Sequence, residues 1–221
     1  MNKTAVILLS GGLDSAVTLY LAKDRGFNCF CLIFDYRQRH KREIESAKKI
    51  AKAARCPWQI LKINLPWKGS SLLDNKEKLP VTRDPLPVTI PSTYVPARNI
   101  IFLSFALSCA ETIAARAIFI GAHTEDYSGY PDCRKEFYQA FIKTVEEGTK
   151  TGVQGKPVRI ITPLLNKNKA EIIKLGKRLK VPFGLTWSCY NGGKLPCGKC
   201  DSCYFRAKGF AEAGIKDPLT D

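Results

Sequence analysis

Ser10-Gly11-Gly12-Leu13-Asp14-Ser15 is the stretch on which the reading of this 221-residue chain turns. Ahead of it lie Ala5-Val6-Ile7-Leu8-Leu9, an apolar run too short for a helix and suited to a buried strand. Behind it, Ala16, Val17, Leu19, Tyr20, Leu21 and Ala22 make a dense apolar helix pattern that ends near Gly26. A strand passing through Gly-Gly into a helix leaves backbone N–H groups unpaired at the helix start, where the dipole adds partial positive charge. Such a turn suits phosphate oxygens. Gly11 and Gly12 let the backbone approach those oxygens, and Ser10 and Ser15 can donate hydroxyls. Asp14 can cap the helix, hold Mg²⁺ or orient a serine. An ordinary glycine turn has the same composition, so the rest of the chain must decide.

Working outward, residues 28–35 read as a second buried strand, and a helix from about Lys41 carries Ile44, Ala47, Ala51 and Ala54 on one face and charges on the other. Residues 58–65 make a third strand. Residues 66–96 hold Pro66, Pro80, Pro85, Pro87, Pro91 and Pro96, which argues against regular structure and for a substrate lid or a dimer contact. Residues 98–116 read as a helix apolar on nearly every side, hence buried, followed by a strand at 117–122. A helix over 135–150, a short strand at 158–161 and a helix capped by Asn168 and Glu171 complete the pattern. Alternating strands and helices predict a doubly wound α/β fold with a mostly parallel five-stranded sheet. Four polar clusters, at residues 10–15, 35–40, 123–134 and 162–163, each follow the carboxyl end of a predicted strand. Ligands of open α/β sheets bind at that edge, where strand order reverses.

A hydrophobic content of 45% supports a full core in one domain with a small appendage. The apolar stretch near residues 100–110 is too short for a bilayer, and no leader pattern opens the chain; a soluble, cytoplasmic protein is expected. The net charge of +15 comes from scattered lysines and arginines without an aromatic stripe, which fits either a solvated basic surface or contact with RNA.

Eight of the nine cysteines divide into two sets. Cys29, Cys31, Cys56 and Cys109 fall in strand or helix patterns and read as core or structural positions. Cys189, Cys197, Cys200 and Cys203 are separated by seven, two and two residues. Paired Cys-x-x-Cys steps with Gly192, Gly193 and Gly198 between them suit one tetrahedral metal, with structural Zn²⁺ ahead of an iron–sulfur cluster or a redox dithiol. Four thiolates close the coordination sphere, which leaves this metal no catalytic role.

Other polar residues have two readings each. Asp126, Tyr127, Ser128, Tyr130, Asp132 and Arg134 surround a Gly-Pro turn. They offer aromatic faces and carboxylates to a planar heterocycle, or make a hydrogen-bonded surface loop. Cys133 reads as packing. Arg98 and Asn99 open a helix, where Arg98 can clamp a phosphate or carboxylate or form a helix-start salt bridge. His40 and His123 can serve as acid, base or structural groups. Lys169 either reaches phosphate or is an exposed lysine.

The six opening residues resemble the SGGxDS signature of PP-loop ATP pyrophosphatases, which activate a carbonyl oxygen with ATP. The chain as a whole resembles the 7-cyano-7-deazaguanine synthase family. The likeness runs in order through Phe34-Asp35-Tyr36-Arg37-Gln38-Arg39-His40, Val95-Pro96-Ala97-Arg98-Asn99, residues 126–134, Thr162-Pro163-Leu164, Thr186-Trp187-Ser188-Cys189-Tyr190 and Pro196-Cys197-Gly198-Lys199-Cys200-Asp201-Ser202-Cys203. Arg37 departs from the small or amide residue expected at its position.

The resemblance implies an adenine nucleotide alpha hydrolase-like domain over 1–185 and a four-cysteine zinc module over 186–221. It implies an ATP-dependent ligase that converts 7-carboxy-7-deazaguanine and ammonia to the nitrile through an amide, for queuosine or archaeosine. ATP would lie on Leu9, Ser10, Gly11, Gly12, Leu13, Asp14, Ser15, Ala16, Val17, Thr18 and Leu19. Asp14, Ser15 and Arg98 would act in catalysis, and Asn99, Asp126, Tyr127, Ser128, Tyr130, Asp132 and Arg134 would hold the substrate. Mg²⁺ would accompany ATP. A homodimer is implied, with no membrane and no stable nucleic-acid partner. The rival is a PP-loop enzyme that thiolates tRNA or ligates lysine to it.

Overall fold

The computed structural model describes residues 3–67, 69–74, 79, 90–123 and 129–220. Among these, the strands are β1 (Thr4–Leu8), β2 (Asn28–Asp35), β3 (Trp58–Lys62), β4 (Ala117–Phe119) and β5 (Arg159–Ile161). The α-helices are α1 (Leu13–Asp24), α2 (Arg42–Ala53), α3 (Arg98–Thr112), α4 (Lys135–Gly148), α5 (Lys150–Val153), α6 (Lys169–Arg178) and α7 (Asp201–Ala213). The strands pair in the order β3-β2-β1-β4-β5, all parallel, so the expected sheet is present and wholly parallel.

β1 lies at the centre because Ala5, Val6 and Ile7 are apolar on both faces and bury completely. Ile7 pairs with Cys31 of β2 on one side and with Phe119 of β4 on the other. Successive residues point to opposite faces of the sheet. Ala5, Ile7, Cys29, Cys31, Ile33 and Phe119 enter a core with α1, α2 and α6, while Val6, Leu8, Leu32, Phe34 and Ile118 enter a second core with α3 and α4. The chain leaves β1 in one direction through β2 and β3, then crosses back to β4. Strand order therefore reverses between β1 and β4, and a crevice opens at their carboxyl ends.

Two expectations need correction. Helix α3 stops at Thr112 and is not buried all round: Asn99, Leu103, Ala106 and Ala110 form one buried row, whereas Ile100 is 44% and Phe105 43% exposed. It covers one face of the sheet, and one helical stripe suffices for that. Strands β3 and β4 are also shorter than expected, since pairing ends at Lys62 and Phe119. Of the proline-rich segment, residues 68, 75–78 and 80–89 lie outside the described ones; Ser71 N–H donates to Ser92 C=O at 2.9 Å where its two ends meet.

Candidate active site

A cavity of about 330 Å³ sits at the β1–β4 crevice, a volume in the range of small-molecule sites. Its wall is built first from the turn after β1. Gly11 has φ +89°, and a Cβ there would lie 2.1 Å from Glu43 O and 2.8 Å from Ala47 N, so only glycine lets the turn rest on α2. Gly12 N–H donates to Ser10 Oγ (3.2 Å), Ser10 Oγ donates to Ser15 Oγ (3.0 Å), and Ser15 Oγ donates to Gly12 C=O (3.0 Å). This ring fixes the turn. No side chain caps α1, so Asp14 is not a cap and the positive helix end faces the cavity.

Asp14 has a different partner. Lys169 Nζ donates to Oδ1 and Oδ2 at 3.0 Å each and to His123 Nε2 at 2.9 Å; His123 Nε2 lies 3.4 Å from Asp14 Oδ2. An ammonium has no lone pair, so the imidazole nitrogen accepts in that contact. Burial works to raise the Asp14 carboxyl, but the Lys169 charge together with the contact to His123 outweighs it and holds it far below the usual carboxylate range. Lys169 is aimed by the capping box of α6, in which Glu171 N–H donates to Asn168 Oδ1 (2.8 Å) and Asn168 N–H to Glu171 Oε2 (2.9 Å). The exposed reading of Lys169 is therefore excluded, its side chain being only 13% accessible. Gly121, after β4, completes this wall: a Cβ there would meet Asp14 O at 2.9 Å.

The start of α3 supplies further groups. Arg98 Nη1 donates to Tyr36 OH at 3.4 Å, and its guanidinium lies 6.0 Å from the Tyr36 ring centre. Asn99 N–H donates to Asp132 Oδ2 (3.0 Å) and Asn99 Nδ2 to Asp132 C=O (2.9 Å). Asp132 is thus buried against the first turn of α3, holding Arg98 and Asn99 in register instead of lining the cavity. Burial first, and Asp132 second, push the Cys133 thiol up to about 11, so it packs as a neutral thiol.

The cysteine segment forms the remaining wall. The Sγ atoms of Cys189, Cys197, Cys200 and Cys203 all lie within 4.8 Å of one another. Four thiolates around a tetrahedral zinc stand about 3.8 Å apart, given Zn–S near 2.3 Å. Backbone N–H groups of Asn191 and Cys197 donate to Cys189 Sγ (3.3 Å each), and that of Cys200 to Cys197 Sγ (3.4 Å), which favours thiolates. The donor set fits a metal ion. Trp187 N–H donates to Gly11 C=O at 2.9 Å, and Arg42 stacks over the Trp187 ring at 4.9 Å, so this cluster is tied to the turn after β1. Trp187, Ser188 and Tyr190 line the cavity.

Leu9, Ser10, Gly12, Leu13, Asp14, Ser15, Arg98, Asn99 and Tyr130 come together around the cavity. Gly11 supports the turn from behind. Ala16, Val17, Thr18 and Leu19 are fully buried within α1 and do not reach the cavity, and Arg134 is exposed away from it. Asp126, Tyr127 and Ser128 lie outside the described residues. Two contributors escaped sequence reasoning. Glu43 sits on α2 among charges that read as a solvent face, yet it lines the cavity; Trp187 read as part of a separate metal module.

A family model described as Queuosine biosynthesis protein QueC matches residues 4–214. The 7-cyano-7-deazaguanine synthase of Acetivibrio thermocellus is 54% identical over 218 residues, covering 98% of this chain and 97% of that one. The protein of the same name from Trichormus variabilis is 52% identical over 219 residues, covering 97% and 96%. Among solved structures, a 4-thiouridine synthetase–RNA complex with bound ATP superposes with a TM-score of 0.52 at 18% identity, over 96% of this chain and half of that one. An NMN synthetase from Francisella tularensis superposes with a TM-score of 0.50 at 14% identity, over 97% and 78%. At these identities the structures speak for the fold alone.

Proposed function

The chain belongs to the QueC family of queuosine biosynthesis proteins, and from that membership we propose that it is an ATP-dependent ligase making 7-cyano-7-deazaguanine from 7-carboxy-7-deazaguanine and ammonia. The observation that carries this reading is the cavity itself. One wall is a phosphate-type turn, and another holds Arg98 and Asn99, groups suited to a carboxylate and a heterocycle edge.

In this reading Ser10, Gly12 and Ser15 receive the phosphates of ATP, with the α1 dipole behind them. Asp14, kept ionised by Lys169, faces the Mg²⁺ that accompanies ATP, and that ion would neutralise phosphate charge. Arg98 holds the substrate carboxylate toward the nucleotide. ATP activates one carboxylate oxygen, ammonia displaces it to give the amide, and a second activation removes the remaining oxygen to leave the nitrile. The net change, carboxylate plus ammonium to nitrile plus two oxygens carried off on phosphoryl groups, strips every proton from nitrogen.

The four thiolates hold Zn²⁺, which fixes the Trp187 wall and takes no part in the chemistry. The division into residues 1–185 and 186–221, the cytoplasmic setting and the homodimer belong to the same proposal. No helix among the described residues is long and apolar enough to cross a membrane, and exposed Ile100 and Phe105 on α3 give a second copy an apolar face. The test is incubation with ATP, Mg²⁺, ammonium and 7-carboxy-7-deazaguanine, with the product identified by mass. The nitrile is expected; unchanged acid would end this reading.

A further inference from the structure

We propose that Glu43 is the base that takes protons from the incoming nitrogen, an inference that rests on the ligase reading above. Two carboxylates line the cavity among the described residues, Asp14 and Glu43. Asp14 is occupied by Lys169 and His123 and is too weak a base to accept a proton at neutral pH. Glu43 also lines the cavity, and its carboxylate makes no hydrogen bond and no ion pair among the described residues. Its position is set from behind, because the backbone of Glu43 is the surface on which the Gly11 turn rests.

The surroundings suit a base. Burial pushes the Glu43 carboxyl up to about 7, with the charge of Arg98 pulling the other way. The other charged and titratable groups lining the cavity are Tyr36 just after β2, Arg39 and His40 just before α2, Tyr130 and Cys133, Tyr190 and Arg206 from the C-terminal segment, and the Asp14–Lys169–His123 set. A base matched to neutral pH is the most efficient proton acceptor there. Ammonium is the protonated form that predominates at neutral pH, and it has no lone pair with which to attack. A half-buried carboxylate beside the activated carbon attracts the cation, takes one proton to release ammonia, and takes another as the C–N bond forms. The protons leave on Glu43 to solvent between steps, and no electrons change hands.

The experiment compares two nucleophiles on the full chain, with zinc in place. Ammonium must lose a proton before it attacks; hydroxylamine is largely unprotonated at neutral pH and traps the activated acid as a hydroxamate. In Glu43→Gln the ratio of the ammonium rate to the hydroxylamine rate falls about 100-fold, the scale of general-base contributions. Glu43→Asp, which keeps a carboxylate, holds the ratio within about tenfold of the parent. Should Glu43→Gln not fold, the parent alone decides: its ammonium rate rises through pH about 7 and levels off above it. Equal losses with both nucleophiles, no loss with either, or an ammonium rate that keeps climbing with the free-ammonia fraction would overturn the role of Glu43. A parent that makes neither nitrile nor hydroxamate would instead overturn the ligase reading itself.

Discussion

Lys169 Nζ stands 3.0 Å from both carboxylate oxygens of Asp14, joining the first turn of α6 to the first turn of α1 across 155 positions of sequence. The pair fixes the ionisation of the carboxylate next to the phosphate-type turn. Lys169→Met leaves that carboxylate without its main counter-charge. The expected loss is about 1–3 kcal/mol of stability in urea titrations, below the cost for fully buried pairs because Asp14 keeps some solvent contact. Because the folded carboxyl lies below its ordinary 3.8, its contribution is complete above that pH and is lost as pH falls through the depressed value. Lys169→Met therefore removes that acid limb, and ATP affinity measured by calorimetry falls with it.

Cys200→Ser opens the thiolate cluster. Metal content should drop from one ion per chain to none, with a lower melting temperature, since binding energy at such a site is folding energy. The Trp187–Gly11 hydrogen bond extends the consequence to ATP, whose affinity weakens although no cysteine need touch it. A metal-free variant with parental ATP affinity would show that the cluster does not support the turn.

Glu43→Gln has a stability signature separate from its kinetics. The folded carboxyl, at about 7, lies above its ordinary 4.5, so the protein gains from protonated Glu43 at low pH and loses that gain as pH rises through about 7. Without ligands, the variant should match the parent near pH 4 and exceed it by about 2 kcal/mol near pH 8.5 in denaturant titrations.

Arg206 closes the C-terminal end. Its Nε and Nη2 donate to Asp217 at 2.6 and 2.9 Å, and Nη1 donates to Thr186 Oγ1 at 2.8 Å, all buried. Asp217→Ala strands a buried guanidinium and should cost about 3–5 kcal/mol by chemical denaturation, with loosening of α7 seen by hydrogen exchange.

What could be read from sequence was whatever a short window encodes. The run from Ala5 through Ser15 contains its own strand, turn and helix start, and the Asn168–Glu171 box and the cysteine spacing are equally local. The parallel sheet followed from alternation of strands and helices. What failed depended on packing between distant segments. Asp132 looked like a substrate carboxylate, but the backbone of Asn99, which it meets only in the folded chain, turns it inward. Ala16, Val17, Thr18 and Leu19 continue the turn in sequence, yet the helix carries them into the core and away from the cavity. Glu43 shares its helix with solvent-facing lysines, and only the missing Cβ of Gly11 brings the turn close enough to place it at the cavity wall. Arg37, the residue that departed from expectation, adopts φ 61°, a left-handed conformation that small and amide residues occupy more readily.

In the proposed reaction ATP removes both carboxylate oxygens in the cavity at the β1–β4 crevice. The direct measurement is to supply 7-carboxy-7-deazaguanine labelled with ¹⁸O in both carboxylate positions, with ATP, Mg²⁺ and ammonium, and to locate the label by mass. One ¹⁸O is expected in the phosphoryl product of each ATP consumed, with two ATP per nitrile, and neither in Asp14→Ala. Label released as water, or nitrile formed by Asp14→Ala at the parental rate, would contradict it.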